Sequence, residues 1–340
     1  MSATELDKQD LAPPARPRLD YLPLGIIPVL ALVALPLVGD LPGWLTLTVA
    51  GLAMGMMIFI MASGLTLVFG LMDILNFGHG AFISVGAYVA ATVLVPMAGL
   101  VQADSFFANL LALLPAILVA MLVSGGLGLA FERVIVRPVY GQHLKQILVT
   151  MGGLIVAEQA IRAIWGPEQL NLPRPTTLRG AFLFGDVAIE KYRVFAVVVG
   201  GLVFAAMMLV LNRTKIGLLI RAGVENGEMV ESLGYRIRRL FVGVFAVGSA
   251  LAGLGGAMWA FYQETVTAAM GAQVMVLIFI VIIVGGLGSV GGCFIGSLLV
   301  GLVANYVGFL APKLALGSNI LLMVVILLWR PRGLYPVANR

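Results

Sequence analysis

Residues 265–312 read TVTAAMGAQVMVLIFIVIIVGGLGSVGGCFIGSLLVGLVANYVGFLAP and contain no Asp, Glu, Lys or Arg. A helix crosses the hydrocarbon core of a bilayer in roughly 20 residues, so this run can cross twice, turning at the glycine-rich GGLGSVGG of 285–292. Uncharged runs at 41–72, 105–131 and 240–263 repeat the pattern. The whole chain of 340 residues is 61% hydrophobic and 11% charged, against about 25% charged in a soluble protein. A single large soluble core is therefore excluded, and the chain reads as an integral membrane protein.

Its few charges are clustered: 7 fall in the first 20 residues and 9 in residues 213–239. The net charge of +5 carries no interleaved aromatics of the kind that bind nucleic acid, so nucleic acid is not an expected partner. One cysteine, Cys293, sits in an apolar run, which excludes an internal disulfide or a cysteine metal cluster. Residues 1–21 form a polar tail that lacks the order of a secretory signal, namely a basic region, a short apolar core and a cleavage site.

The expected architecture is all-α and polytopic, a transmembrane body over 22–330 followed by a short tail at 331–340. Spans are expected at 22–39, 45–66, 81–99, 108–131, 146–165, 193–212, 240–263, 272–289, 293–311 and 314–329. That makes about ten crossings, with eight as the lower bound. The segment 67–79 is the weak point, because it carries Asp73 and reads as an extension of the second span, a broken helix or an interfacial piece. Non-helical backbone at that depth must be sheltered by protein or water, so it is expected inside the bundle. With both termini cytoplasmic, fifteen of the 21 basic residues fall on the inner side and six on the outer, as the positive-inside rule requires.

Small residues at helical spacing, Gly51 and Gly55, Gly86 and Ala90, and Gly248, Ala252 and Gly256, read as close helix packing. The densest polar knot lies in GLTLVFGLMDILNFGHGAFISVGAYVA, residues 64–90. Asn76 and His79 can each donate and accept hydrogen bonds. With Gly80, Gly86 and, further on, Gln159, they are candidates for a translocation route or gate, against the plainer reading that they satisfy broken backbone. Asp73 reads as a solvated or capping carboxylate, with proton relay as the alternative. Glu158 and Arg162, four residues apart, are spaced to pair on one helix face.

Between two apolar spans, residues 213–239 read RTKIGLLIRAGVENGEMVESLGYRIRR. A short helix over 222–234 is expected, with Met229, Val230 and Leu233 on an apolar face and Glu225, Glu228 and Glu231 on an acidic one. Flanking arginines would hold it at the inner membrane surface. The glycines of 285–296, Gly285, Gly286, Gly288, Gly292 and Gly296 with Ser289, read as a tight turn followed by close helix packing. They are not a phosphate loop, because no GxxxxGK followed by Ser or Thr occurs in the chain.

With these residues in view, the chain resembles the membrane-spanning permease subunits of branched-chain amino acid ATP-binding-cassette importers, and among them the histidine-bearing subunit type. The resemblance covers most of 45–334. It rests on LNFGHGAFISVGAYVA, Gln159 with Trp165 and Gly166, RAGVENGEMVESLGY, GGLGSVGGCFIG and PRGL at 331–334, in that order along the chain. It implies that Arg221, Glu225, Glu228, Glu231, Leu233, Gly234 and Tyr235 form a coupling element docked on a separate ATPase. ATP and magnesium would then bind to two ATPase subunits and no cofactor to this chain, which would have no catalytic residues and would not itself be an enzyme. Further implied partners are a related permease subunit or a second copy, an extracytoplasmic solute-binding protein and membrane lipid, at the bacterial inner membrane. Leucine, isoleucine and valine are the first substrates implied. Urea and short amides are the alternatives within the family, and an ion-coupled transporter or a passive channel the alternatives outside it.

Overall fold

The computed structural model describes residues 22–225 and 227–335; the polar tail expected at 1–21, residue 226, residues 336–340 and the side chains of residues 224–228 and 316 lie outside it. Among the described residues thirteen α-helices follow in chain order: α1 (Leu22–Val38), α2 (Leu41–Met72), α3 (His79–Leu94), the short α4 (Ala98–Gln102), α5 (Phe106–Phe131), α6 (His143–Trp165), α7 (Lys191–Arg213), α8 (Lys215–Glu225), α9 (Gly227–Ser232), α10 (Ile237–Gln263), α11 (Met270–Gly285), α12 (Val290–Leu310) and α13 (Ala315–Trp329). Seven of the helical stretches are long and apolar enough to cross a membrane, and the helices at Leu22–Val38, Met270–Gly285 and Gly317–Trp329 are apolar but shorter. Together they overlie the ten expected spans.

The second span is longer than expected. Its start is set by Asp40, whose side chain accepts from the Gly43 amide at 2.6 Å, with proline in the first turn. At 1.5 Å per residue its 32 residues reach about 48 Å, well beyond a hydrocarbon core of about 30 Å. Residues 67–72 thus extend this helix, and the break follows at Asp73.

Burial decides which helices form the centre. The apolar window of α2 is 83% buried and that of α6 only 11%. Helix α2 packs against α12, α10 and α7, while α10 also packs on α5 and α3. Glycine makes these approaches possible. A Cβ on Gly64 would land on the backbone of Gly248, one on Gly86 on Gly253, and one on Gly55 within 2.9 Å of the Leu298 Cα. The expected packing role of Gly51, Gly55, Gly86, Gly248 and Gly256 is seen in each case.

Residues 285–296 turn and pack as expected. Gly286 and Gly288 have φ of 102° and 81°, which side-chain-bearing residues rarely adopt. Ser289 caps α12 by accepting from the Gly292 amide at 3.1 Å, and Gly285, Gly292 and Gly296 bring α11 and α12 into backbone contact. Residues 331–335 are no free tail: the Leu334 and Tyr335 amides donate to the carbonyls of Val284 and Gly285, both at 2.9 Å, closing the end of α11.

Two features depart from a purely helical chain. Residues 181–190 form a hairpin, β2 (Ala181–Phe184) with β3 (Val187–Glu190), after the two-residue β1 (Leu170–Asn171), which pairs with β4 (Thr265–Val266). The two-residue turn Gly185–Asp186, with Gly185 at φ 62°, favours the hairpin.

Gly64→Ala is expected to lower the stability of the purified protein by roughly 1–3 kcal/mol, the usual cost of overpacking, because its Cβ meets backbone. Gly291→Ala, whose Cβ meets nothing within 4 Å, is expected to leave the melting temperature unchanged or slightly raised. Thermal melts of the two variants side by side check this.

Candidate functional site

The α2–α3 break is built from a helix end. Asp73 takes the left-handed conformation (φ 53°, ψ 38°) and its amide donates to the Phe69 carbonyl at 2.9 Å, closing α2. Its carboxylate is half-exposed and lies 4.0 Å from His143 Nε2, so the residue ends the helix through its backbone while its side chain stands at the solvent edge. Residues 74–78 are irregular, and α3 resumes at His79.

Within the break Asn76 is fully buried, and neither its amide nitrogen nor its oxygen has a hydrogen-bond partner. A buried polar group left unsatisfied costs about 1–3 kcal/mol. Several polar groups around it are hydrogen-bonded. His79 Nε2 donates to the Met61 carbonyl at 2.9 Å, tying the start of α3 back to the middle of α2. The Phe77 amide donates to Thr150 Oγ1 at 3.2 Å, and the Thr150 hydroxyl in turn donates to the Gln146 carbonyl. Gln146 is itself buried with an unpartnered Oε1. Asn76 and His79 are thus brought together, with Gly80 against Gly271 of α11 and Gly86 against Gly253 of α10.

Gln159 does not join them. It is exposed on α6, whose fully buried residues are Gln146, Thr150 and Ile161. The expected Glu158–Arg162 pair is not among the ion pairs of the described residues, which are His143–Asp73, Arg174–Glu190, Arg174–Glu264 and Arg193–Glu190. Arg162 is exposed, and Trp165 Nε1 donates to Thr92 Oγ1 at 2.8 Å.

The loop 213–239 folds as two helices, α8 and α9, where one was expected. Helix α9 ends in a Schellman motif: the Tyr235 amide donates to Val230 O at 3.3 Å and the Gly234 amide to Glu231 O at 2.9 Å, with Gly234 at φ 86°. That accounts for a glycine at this point. The expected apolar face is split, since Val230 is buried while Met229 and Leu233 are 61% and 70% exposed. Val230 anchors α9 to the body, and Met229, Glu231, Leu233 and Tyr235 are left on the outside. Arg221 Nη1 donates to Asn212 Oδ1 at 3.2 Å, tying α8 to the end of α7. The side chains of Glu225 and Glu228 lie outside the described residues.

Two polar features have no counterpart in the sequence reading. Arg174, 13% exposed in its side chain, pairs with Glu190 and Glu264 at 3.4 and 3.1 Å, donates to the carbonyls of Phe261 and Tyr262, and lies over the Tyr192 ring. It holds the loop after α6 to α7 and to the end of α10. At the end of α5, Tyr140 donates to the carboxylate of buried Glu132; burial, and then this carboxylate, push the phenol above its ordinary range and keep it a donor.

Comparison with known proteins agrees with this architecture. Residues 47–329 match the family model of the branched-chain amino acid transport system permease component. The chain is 27% identical over 299 residues to the high-affinity branched-chain amino acid transport system permease protein BraD of Pseudomonas aeruginosa, covering 84% of this chain and 94% of that one. It is 23% identical over 291 residues to the permease protein LivH of Escherichia coli, covering 84% and 92%. To the permease protein LivM of the same organism it is 27% identical over 313 residues, covering 84% and 69%. No solved structure matches the chain. The match spans the break, the loop 213–239 and the glycine turn, and the chain belongs to the branched-chain amino acid transport permease family.

Proposed function

We propose that this permease serves an ATP-driven importer that carries leucine, isoleucine and valine across the bacterial inner membrane, with both its termini cytoplasmic. Its partners would be a related permease subunit or a second copy, two ATPase subunits that hold ATP and magnesium, and an extracytoplasmic solute-binding protein. The observation that carries this reading is the outward face of α9. A short helix between two spans is pinned by buried Val230 and shaped by the Gly234 motif, yet exposes Met229, Leu233 and Tyr235 beside Glu231. Large apolar side chains ringed by charge on a membrane protein's water-facing loop fit a protein interface. At the opposite end of α7, the hairpin exposing Leu183 and Phe184 is braced by Arg174, and is the surface on which the solute-binding protein would act.

Transport would proceed by alternating access. The ATPase can drive it only by favouring one state of the membrane subunits over the other, and α8–α9 is the element through which that preference enters. In the proposed cycle the α2–α3 break is where backbone is already free of helix, and Asn76 gains in another state the hydrogen-bond partners it lacks here.

In reconstituted vesicles, Leu233→Asp combined with Glu231→Arg is expected to reduce ATPase co-purification and leucine uptake at least about ten-fold, as loss of an interface anchor does, without changing the melting temperature of the permease. Unchanged ATPase binding and uptake would falsify the docking face. A panel of leucine, urea and acetamide, with and without ATP and the binding protein, decides the substrate. Asn76→Ala is expected to leave stability equal or raised, because it removes two unsatisfied buried atoms, and yet to lower uptake by about ten-fold, or one 1.4 kcal/mol step in a barrier. Normal uptake by this variant would remove the break from the mechanism.

A further inference from the structure

From a groove between α7 and α10 we infer a binding site for one acyl chain of an anionic phospholipid, its headgroup held by Arg239. The groove measures about 560 Å³ and is floored by Leu67, Met207 and Leu254. Its mouth opens outward between Val210 and Val247, which are 41% and 55% exposed. Every lining residue is apolar except Arg239, which stands at one end, in the first turn of α10. Ile216 and Ile220 of α8 close the same end.

Length suits a hydrocarbon chain. From Arg239 to Leu254 the groove follows about 22 Å of α10, and its wall along that length is apolar. A single acyl tail can lie along the slot with its headgroup at the Arg239 end; a neighbouring subunit's helix is the competing occupant.

Charge selects the headgroup. Among the described residues no ion pair or hydrogen bond engages the Arg239 side chain, and it is exposed beside the apolar slot. Arg236 and Arg238 precede it in the chain. A guanidinium at the mouth of an apolar slot binds a phosphate bidentately, and basic residues next to a span attract anionic lipid. Because Ile216 and Ile220 touch the same tail, the lipid would brace α8 against α7 and α10. The site itself does not depend on α9 being an ATPase dock.

Native mass spectrometry of the full-length permease, purified with its associated subunits and exchanged into detergent with phosphatidylglycerol or phosphatidylcholine, tests this. One phosphatidylglycerol is expected to remain per chain, about five-fold more retained than phosphatidylcholine, the effect of one arginine at an anionic surface. Arg239→Gln should level the two lipids. Gly243→Leu should remove the retained lipid with the melting temperature unchanged, because a Cβ at Gly243 meets no protein atom within 4 Å. Wild-type retention with no headgroup preference, or retention unaffected by Gly243→Leu, overturns the proposal. Cross-linking of Gly243→Cys to the neighbouring permease in the assembled importer also overturns it, since the slot would then be a subunit interface.

Discussion

Apolar side chains gain nothing by leaving lipid for the interior of a helical bundle, so this fold is held where backbones touch. Helix α2 meets α10 at Gly64 and Gly248, α3 meets α10 at Gly86 and Gly253, and α11 meets α12 at Gly285 and Gly292. These approaches place α2, α3 and α10 at the centre, leaving α6 and α7 on the outside. They also shelter the one stretch of irregular backbone between α2 and α3, where no lipid could satisfy it.

From that packing the functional features follow in order. The break is tied on both sides, by His79 to Met61 and by the Phe77 amide to Thr150, yet Asn76 has no partner. A break that is structurally fixed apart from one unsatisfied amide is suited to a rearrangement in which that amide is satisfied. At one end of the bundle α8 and α9 hang between α7 and α10, joined to the core through Val230 and Arg221. At the other, Arg174 locks the loop before α7 to the end of α10. Helices α7 and α10 run without a break between these two ends.

Much of this was legible in the residues. Charge-free runs located the apolar helices, the glycine spacing located the close contacts, and the run from Asp73 to His79 located the break. What escaped depends on long-range contacts or on helix phase. Gln159 is polar and follows a recognisable pattern, but the rotation of α6 turns Gln146 and Thr150 inward and leaves Gln159 outside. The amphipathic reading of α9 grouped Val230 with Met229 and Leu233, although adjacent positions on a helix lie about 100° apart. The GD turn was a visible hairpin signal, overlooked among apolar helices. Arg174 counted only as a charge on the outer side, because its partners lie up to 90 residues away.

The central claim is that a separate ATPase grips the exposed face of α9. Because Cys293 is buried, Leu233→Cys supplies a single reactive thiol, and the most direct measurement is cross-linking of this variant in the assembled importer, with and without ATP. The account predicts a cross-link to the ATPase subunit whose yield changes when ATP binds. ATP-driven uptake with no cross-link from residue 233 to the ATPase in either state would contradict it.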